Sequence, residues 1–115
     1  MDIQRFNPMP RWSDATIYRG VAHFVEVPNN TNCAMEGQIA QVLQQAETTL
    51  AAIGSDKSRL LSATIYITHK ENVAALNNAW ADWLPPGCAP SRACVKVELL
   101  HPEMLVEIAF VAAVD

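Results

Sequence analysis

Arg92 and Glu107 are the two side chains whose type and setting promise chemistry. Both lie in stretches otherwise built for burial, Ala89-Pro90-Ser91-Arg92-Ala93-Cys94-Val95-Lys96-Val97 and Leu105-Val106-Glu107-Ile108-Ala109-Phe110-Val111-Ala112. In the second stretch Val106, Ile108, Phe110 and Ala112 alternate to one face of a strand, and Leu105, Ala109, Val111 and Ala113 to the other. Both faces are apolar, so Glu107 has no wet face, and a buried carboxylate is costly unless a cation or several donors stand beside it. Arg92, at the head of the neighbouring strand, is the expected partner. An arginine fork offers a carboxylate two parallel donors and keeps its charge when partly desolvated. A glutamate in this setting suits general acid or base work on a water or an imine nitrogen; apolar surroundings raise its pKa and an adjacent arginine lowers it. The competing reading is a structural ion pair with no chemistry attached.

Other residues qualify more weakly. Cys94 follows Arg92 on the same strand face and can line a pocket wall; with no His or helix N-terminus nearby it reads as a small packing residue beside a useful backbone amide, not a nucleophile. Trp12, after Pro10-Arg11, is either an aromatic lid over a ligand or an anchor for the N-terminal segment. Asp14 and Glu26 are candidates for a second carboxylate in the cleft. His23 sits in an apolar run and reads as a core or interface histidine, and Lys96 and Glu98 as surface or intersubunit contacts.

These side chains need a scaffold, and apolar spacing predicts an α+β one: a single mixed sheet with two helices on one face, in the order β-β-β-α-β-α-β-β. Ile3 to Phe6 reads as a short edge strand closed by Asn7-Pro8-Met9-Pro10. Asp14 to Tyr18 and Val21 to Val27 read as a hairpin across Arg19-Gly20. After the turn-rich Pro28-Asn29-Asn30-Thr31-Asn32, with Thr31 or Asn32 as cap, Ile39, Val42, Leu43, Ala46, Leu50 and Ile53 mark a helix. Its glutamines, Gln38, Gln41, Gln44 and Gln45, fall largely on the other side, and Gly54 ends it. Leu61, Ala63, Ile65 and Ile67 form the apolar face of a strand. Thr68 to Glu71 matches a capping box opening a second helix with Val73, Leu76, Trp80 and Trp83, stopped by Pro85-Pro86-Gly87. Two helices cover one face of such a sheet and leave the other open, yet the last strand is apolar on both. A second copy of the chain is the economical cover, so a homo-oligomer is expected.

At 115 residues a single domain over 1–115 is expected, with half of the residues apolar and 17% charged, as in a compact soluble protein. The net charge is −4 and no Lys/Arg cluster occurs, so nucleic acid is not expected as a main partner. The opening Met1-Asp2-Ile3-Gln4-Arg5-Phe6 carries charge and no apolar run, unlike a secretory leader, and no stretch reaches the length of a membrane span. Cys33, Cys88 and Cys94 show no C-x-x-C, the usage of reduced thiols in a cytoplasmic protein. His23, His69 and His101 lack ligand spacing; neither a metal nor another cofactor is expected.

The element order, the Ala89 to Val95 segment and Val106-Glu107-Ile108 together resemble the reactive-intermediate deaminase family, also called the YjgF, YER057c and UK114 family, over nearly the whole chain. Arg11-Trp12-Ser13-Asp14 and Ala79-Trp80-Ala81-Asp82-Trp83 are most similar to its small YoaB-like branch. The resemblance implies a chorismate-mutase-like fold assembled as a homotrimer, with a ligand cleft at each subunit interface. It implies cofactor-independent hydrolysis of enamines and imines of the 2-aminoacrylate type to 2-oxo acids and ammonia. By the same resemblance Arg92 clamps the substrate carboxylate, Glu107 positions water, and backbone groups around Cys94 contact the ligand. Members with demonstrated deaminase activity carry Tyr-x-Gln near the N-terminus where this chain has Trp12 and Asp14, and Ser-Gly-Gln where it has Val25-Glu26-Val27-Pro28. Trp12 and Asp14 thus join Arg92 and Cys94 as expected substrate contacts, with Glu107 and Arg92 as the catalytic pair. The expected partners are a small carboxylate-bearing metabolite and copies of the chain, with neither nucleic acid nor membrane. The first rival is a non-catalytic trimer that binds or senses 2-oxo acids, favoured by the altered half of the pocket. The second is the endoribonuclease activity of some relatives, disfavoured by the acidic charge.

Overall fold

Strand alternation commits every second residue of this sheet to a helical layer and leaves the rest facing outward. The computed structural model describes residues 2–115. Its strands are β1 (Gln4–Phe6), β2 (Ala15–Tyr18), β3 (Val21–Glu26), β4 (Leu60–Ile67), β5 (Ser91–Lys96) and β6 (Val106–Ala113), and its helices α1 (Met35–Ala52) and α2 (Val73–Trp83). The chain order is the expected β-β-β-α-β-α-β-β. The strands form one six-stranded sheet in the order β1-β2-β3-β6-β4-β5, parallel between β4 and β5 and antiparallel elsewhere. It is the mixed α+β sheet that the apolar spacing predicts.

The placement of the helices follows from the topology. β3 and β4 both run antiparallel to the intervening β6, so they run parallel to each other. The β3–α1–β4 and β4–α2–β5 connections therefore cross between parallel strands and advance the same way across the sheet. Right-handed crossovers then put both helices on one face. There Phe24 and Phe110 stack at 5.0 Å, and Trp80 of α2 lies over Phe110 at 6.3 Å. The other face has no layer, and the body is only 20 Å thick against 44 and 37 Å in its other dimensions. Val25, about half exposed, and Val95 point out of it, as the open second face expected from the helix count requires.

Two turns behave as read. Gly54, at φ +80°, closes α1 with Ser55 N–H donating to Leu50 O at 2.8 Å and Gly54 N–H to Ala51 O at 3.2 Å, the paired bonds of a Schellman ending. In the β2–β3 hairpin Arg19 as well as Gly20 is left-handed, at φ 51° and 78°, which matches the twist of the flanking strands.

Several local expectations are corrected. Leu61 is not in the core: a register shift between Leu60 and Ser62 turns it outward, and Leu60 takes the buried place. Neither Thr31 nor Asn32 caps α1, whose N-cap is Ala34 without a side-chain bond. The Thr68–Glu71 box does not form either, because a 3₁₀ turn at Lys70–Asn72 precedes α2 and the Thr68 hydroxyl pairs with His69 Nδ1 instead.

The glutamines of α1 do not face solvent as a group. The loop before α1 lies along the helix, and its backbone groups need partners that a carboxamide supplies as both donor and acceptor. Gln41 Oε1 accepts from Asn30 N–H at 2.9 Å and its Nε2 donates to Asn30 O at 2.8 Å, while Gln45 Nε2 donates to Val27 O at 2.7 Å. Gln38 is fully buried. Its Nε2 lies within bonding distance of Thr31 O, Cys33 O and Glu103 O, and its Oε1 accepts from Leu105 N–H at 2.8 Å. One side chain thus ties the loop before α1 to the segment that leads into β6. Gln38→Met keeps the volume and strands these groups, so it is expected to cost about 2–4 kcal/mol of stability, read from the urea midpoint. A loss below about 0.5 kcal/mol would show that water replaces the clamp.

Candidate functional site

The open face carries a cavity of about 900 Å³. Its floor is built from outward residues of the central strands, among them Glu107, Ala109 and Val111 of β6 and Ser62 and Thr64 of β4. Trp12, Ser13 and Asp14 form one wall and Leu100 reaches it from the β5–β6 connection. Trp12 is 61% exposed at the rim, so it does not anchor the N-terminal segment in the core. The segment that carries it is fixed: Met9 N–H donates to Trp12 O at 2.7 Å, Asp14 N–H to Phe6 O at 2.8 Å, and Asn7 Nδ2 to Asp14 Oδ2 at 2.9 Å. His23 lies on this open face too, opposite Val111 in register, and not in the core.

Glu107 is half-buried on this floor, paired in register with Tyr66. The expected direct pair with Arg92 is absent. β5 does not adjoin β6, because β4 lies between them. Arg92 registers with Ala63 and so with Phe110, on the helix side of the sheet, whereas Glu107 points to the open side. Two strand spacings and three residues of offset separate their Cα atoms by about 14 Å. Among the described residues neither side chain has an ion-pair partner.

Arg92 is instead exposed on the edge strand, and its Nη2 donates to Asn77 Oδ1 of α2 at 2.9 Å. Cys94, on the same side, is a half-buried free thiol against the core. The chain therefore gathers Trp12, Asp14 and Glu107 in a single cavity and leaves Arg92 and Cys94 outside it. Asn77 was not singled out by the sequence, since helical spacing alone does not say which of Asn77 and Asn78 faces β5. Among the described residues no group of three or more His, Cys, Asp or Glu side chains gathers as metal ligands would.

Glu26, at the end of β3, is a further carboxylate of the cavity wall. It accepts from the Thr49 hydroxyl at 2.6 Å and from Gln45 Nε2 at 3.5 Å. Burial raises its pKa, these two bonds oppose the rise, and the charge of Asp14 adds to it. With the folded pKa above the unfolded one, the native state binds the extra proton between the two values, so stability falls as pH rises through that window. Glu26→Gln removes the ionisation, so its stability relative to wild type is expected to increase from about pH 4 to about pH 7 in denaturant titrations. A difference that stays constant over that range would contradict the raised pKa.

Comparison with known proteins places this arrangement. The pattern of the endoribonuclease L-PSP family matches residues 3–114. The RutC family protein YoaB of Escherichia coli is 40% identical over 114 residues, covering 99% of this chain and 100% of the relative. A YjgF family protein from Neisseria meningitidis superposes with a TM-score of 0.95 at 38% identity, covering 100% of this chain and 97% of that one. An uncharacterised protein from Pseudomonas aeruginosa does so at 0.96 and 32%, covering 99% and 100%. These matches establish the chorismate-mutase-like architecture, and with it that the chain belongs to the endoribonuclease L-PSP family, the YjgF family to which its YoaB-like relatives belong.

Proposed function

We propose that the chain is a cofactor-independent deaminase that hydrolyses 2-imino and enamine acids to 2-oxo acids and ammonia, at sites completed between the subunits of a homotrimer. The observation that carries this reading is Glu107: a carboxylate without an ion-pair partner among the described residues, on the floor of a large cavity, on a sheet face that no described helix or strand covers. Packing of further copies over Val25, Val95 and Leu100 encloses that cavity and brings an Arg92 from a neighbouring copy to it. The substrate carboxylate lies in the arginine fork. Glu107 orients a water and takes one of its protons as the oxygen bonds to the imine carbon. The same carboxyl returns that proton to nitrogen, giving a carbinolamine, and then moves the hydroxyl proton to nitrogen as the C–N bond breaks and the C=O bond forms, so that ammonia leaves with the 2-oxo acid behind. An imine carbon is already electrophilic, so the main task is holding water and substrate in register.

A binding or sensing role without turnover is favoured by one observation: Trp12 and Asp14 wall the cavity where active deaminases carry Tyr and Gln. The family's endoribonuclease name finds less support, because the net charge is −4 and no Lys or Arg lines this cavity.

The test generates 2-iminobutyrate with an amino-acid oxidase and follows its decay. Wild type is expected to accelerate decay, Arg92→Ala to lower kcat/KM about 100-fold, and Glu107→Gln to lower kcat at least about 100-fold with little change in KM. Acceleration by none of the three sinks the deaminase; wild type that binds 2-oxobutyrate without turnover supports the sensor. In light scattering the mass is expected to be that of three chains.

A further inference from the structure

We infer that Asn77 is the positioning residue for Arg92, a neutral acceptor that aims the guanidinium without neutralising it. The inference rests on the reading of Arg92 as a carboxylate clamp and adds a residue that this reading does not contain.

Arg92 is held at one end only. Its Nη2 donates to Asn77 Oδ1 at 2.9 Å, and no carboxylate forms an ion pair with it among the described residues. Both partners are exposed, Arg92 on the outer strand β5 and Asn77 on α2. An exposed bond of this kind contributes little to folding. Its effect is on direction: a long, rotamer-rich side chain on an edge strand is restricted to one approach, and less freedom is lost when an anion arrives.

The residue type at 77 matters for a second reason. A carboxamide oxygen accepts one N–H of the fork and leaves the others, with the full positive charge, for a ligand. A carboxylate at the same place would accept a stronger, charge-assisted bond and stand where it competes with the substrate's own carboxylate. Asn77 and Glu107 are thus complementary in effect: the first keeps the cation aimed, and the second lies too far away, on the other side of the sheet, to neutralise it within one protomer.

The distinguishing variant is Asn77→Asp, which preserves shape and strengthens the bond to Arg92. A merely structural role for Asn77 predicts unchanged ligand affinity for this variant. A positioning role that keeps the charge free predicts the reverse. Titration with 2-oxobutyrate, with 2-oxobutanamide as the uncharged control, separates them. Asn77→Ala is expected to weaken 2-oxobutyrate about tenfold and Asn77→Asp about a hundredfold, with Tm within about two degrees of wild type and amide affinity unchanged. Wild-type affinity for 2-oxobutyrate in Asn77→Asp, or parallel losses for both ligands, overturns the inference while Arg92→Ala still abolishes binding. Wild type that binds no 2-oxobutyrate overturns the carboxylate clamp itself, and this inference with it.

Discussion

Strand β6 lies between β3 and β4, and each of its residues must suit one of two unlike surroundings. Val106, Ile108, Phe110 and Ala112 meet the helices and are buried; Glu107, Ala109, Val111 and Ala113 face the side without a layer. No other element among the described residues covers that side. Both helices arise from crossovers that advance in one direction across the sheet, and their common handedness puts them together. The setting of Glu107 is therefore a consequence of topology more than of its immediate sequence neighbours. A central strand with apolar residues on both faces suits an assembly in which other copies supply the missing layer.

The same topology divides the candidate machinery. Asp14 and Glu107 border a cavity on the open side, Glu26 reaches its wall from the side of α1, and the cation projects from the opposite edge beside α2. An internal Arg92–Glu107 pair would have satisfied both charges within one protomer and left neither free for a ligand. Among the described residues their separation leaves a guanidinium and a carboxylate without an ion-pair partner, the two groups that the proposed recognition of an imino acid and activation of water would use. The proline-containing segment from Asn7 to Asp14 is tied back by its own hydrogen bonds, which fixes the wall that carries Trp12.

Much of this was legible in the sequence, and the failures have specific causes. Helical and strand periods differ enough that α1, α2 and the strands emerge in correct order, and glycines at 20 and 54 mark real turns. The Arg92–Glu107 pairing failed because strands consecutive in sequence were taken as neighbours in the sheet. The connection from Val97 to Leu105 is too long for a tight hairpin, and that was the available sign. Gln38 was grouped with the other glutamines on the side of α1 away from the apolar face; its four partners lie in two loops brought together only by the fold. Consecutive Leu60 and Leu61 both fit a strand of period two, and only the register shift decides between them. Asn77 carries no signal apart from its contact with Arg92.

Subunit complementation tests most directly whether the site combines the open face of one copy with the edge strand of another. Arg92→Ala and Glu107→Gln chains, each inactive alone, are co-expressed in equal amounts and assayed for 2-iminobutyrate hydrolysis. A shared site restores about one quarter of wild-type activity, because that fraction of interfaces joins a native Arg92 to a native Glu107. No recovery in mixed assemblies whose composition is verified would place both residues' function within single protomers and contradict the account.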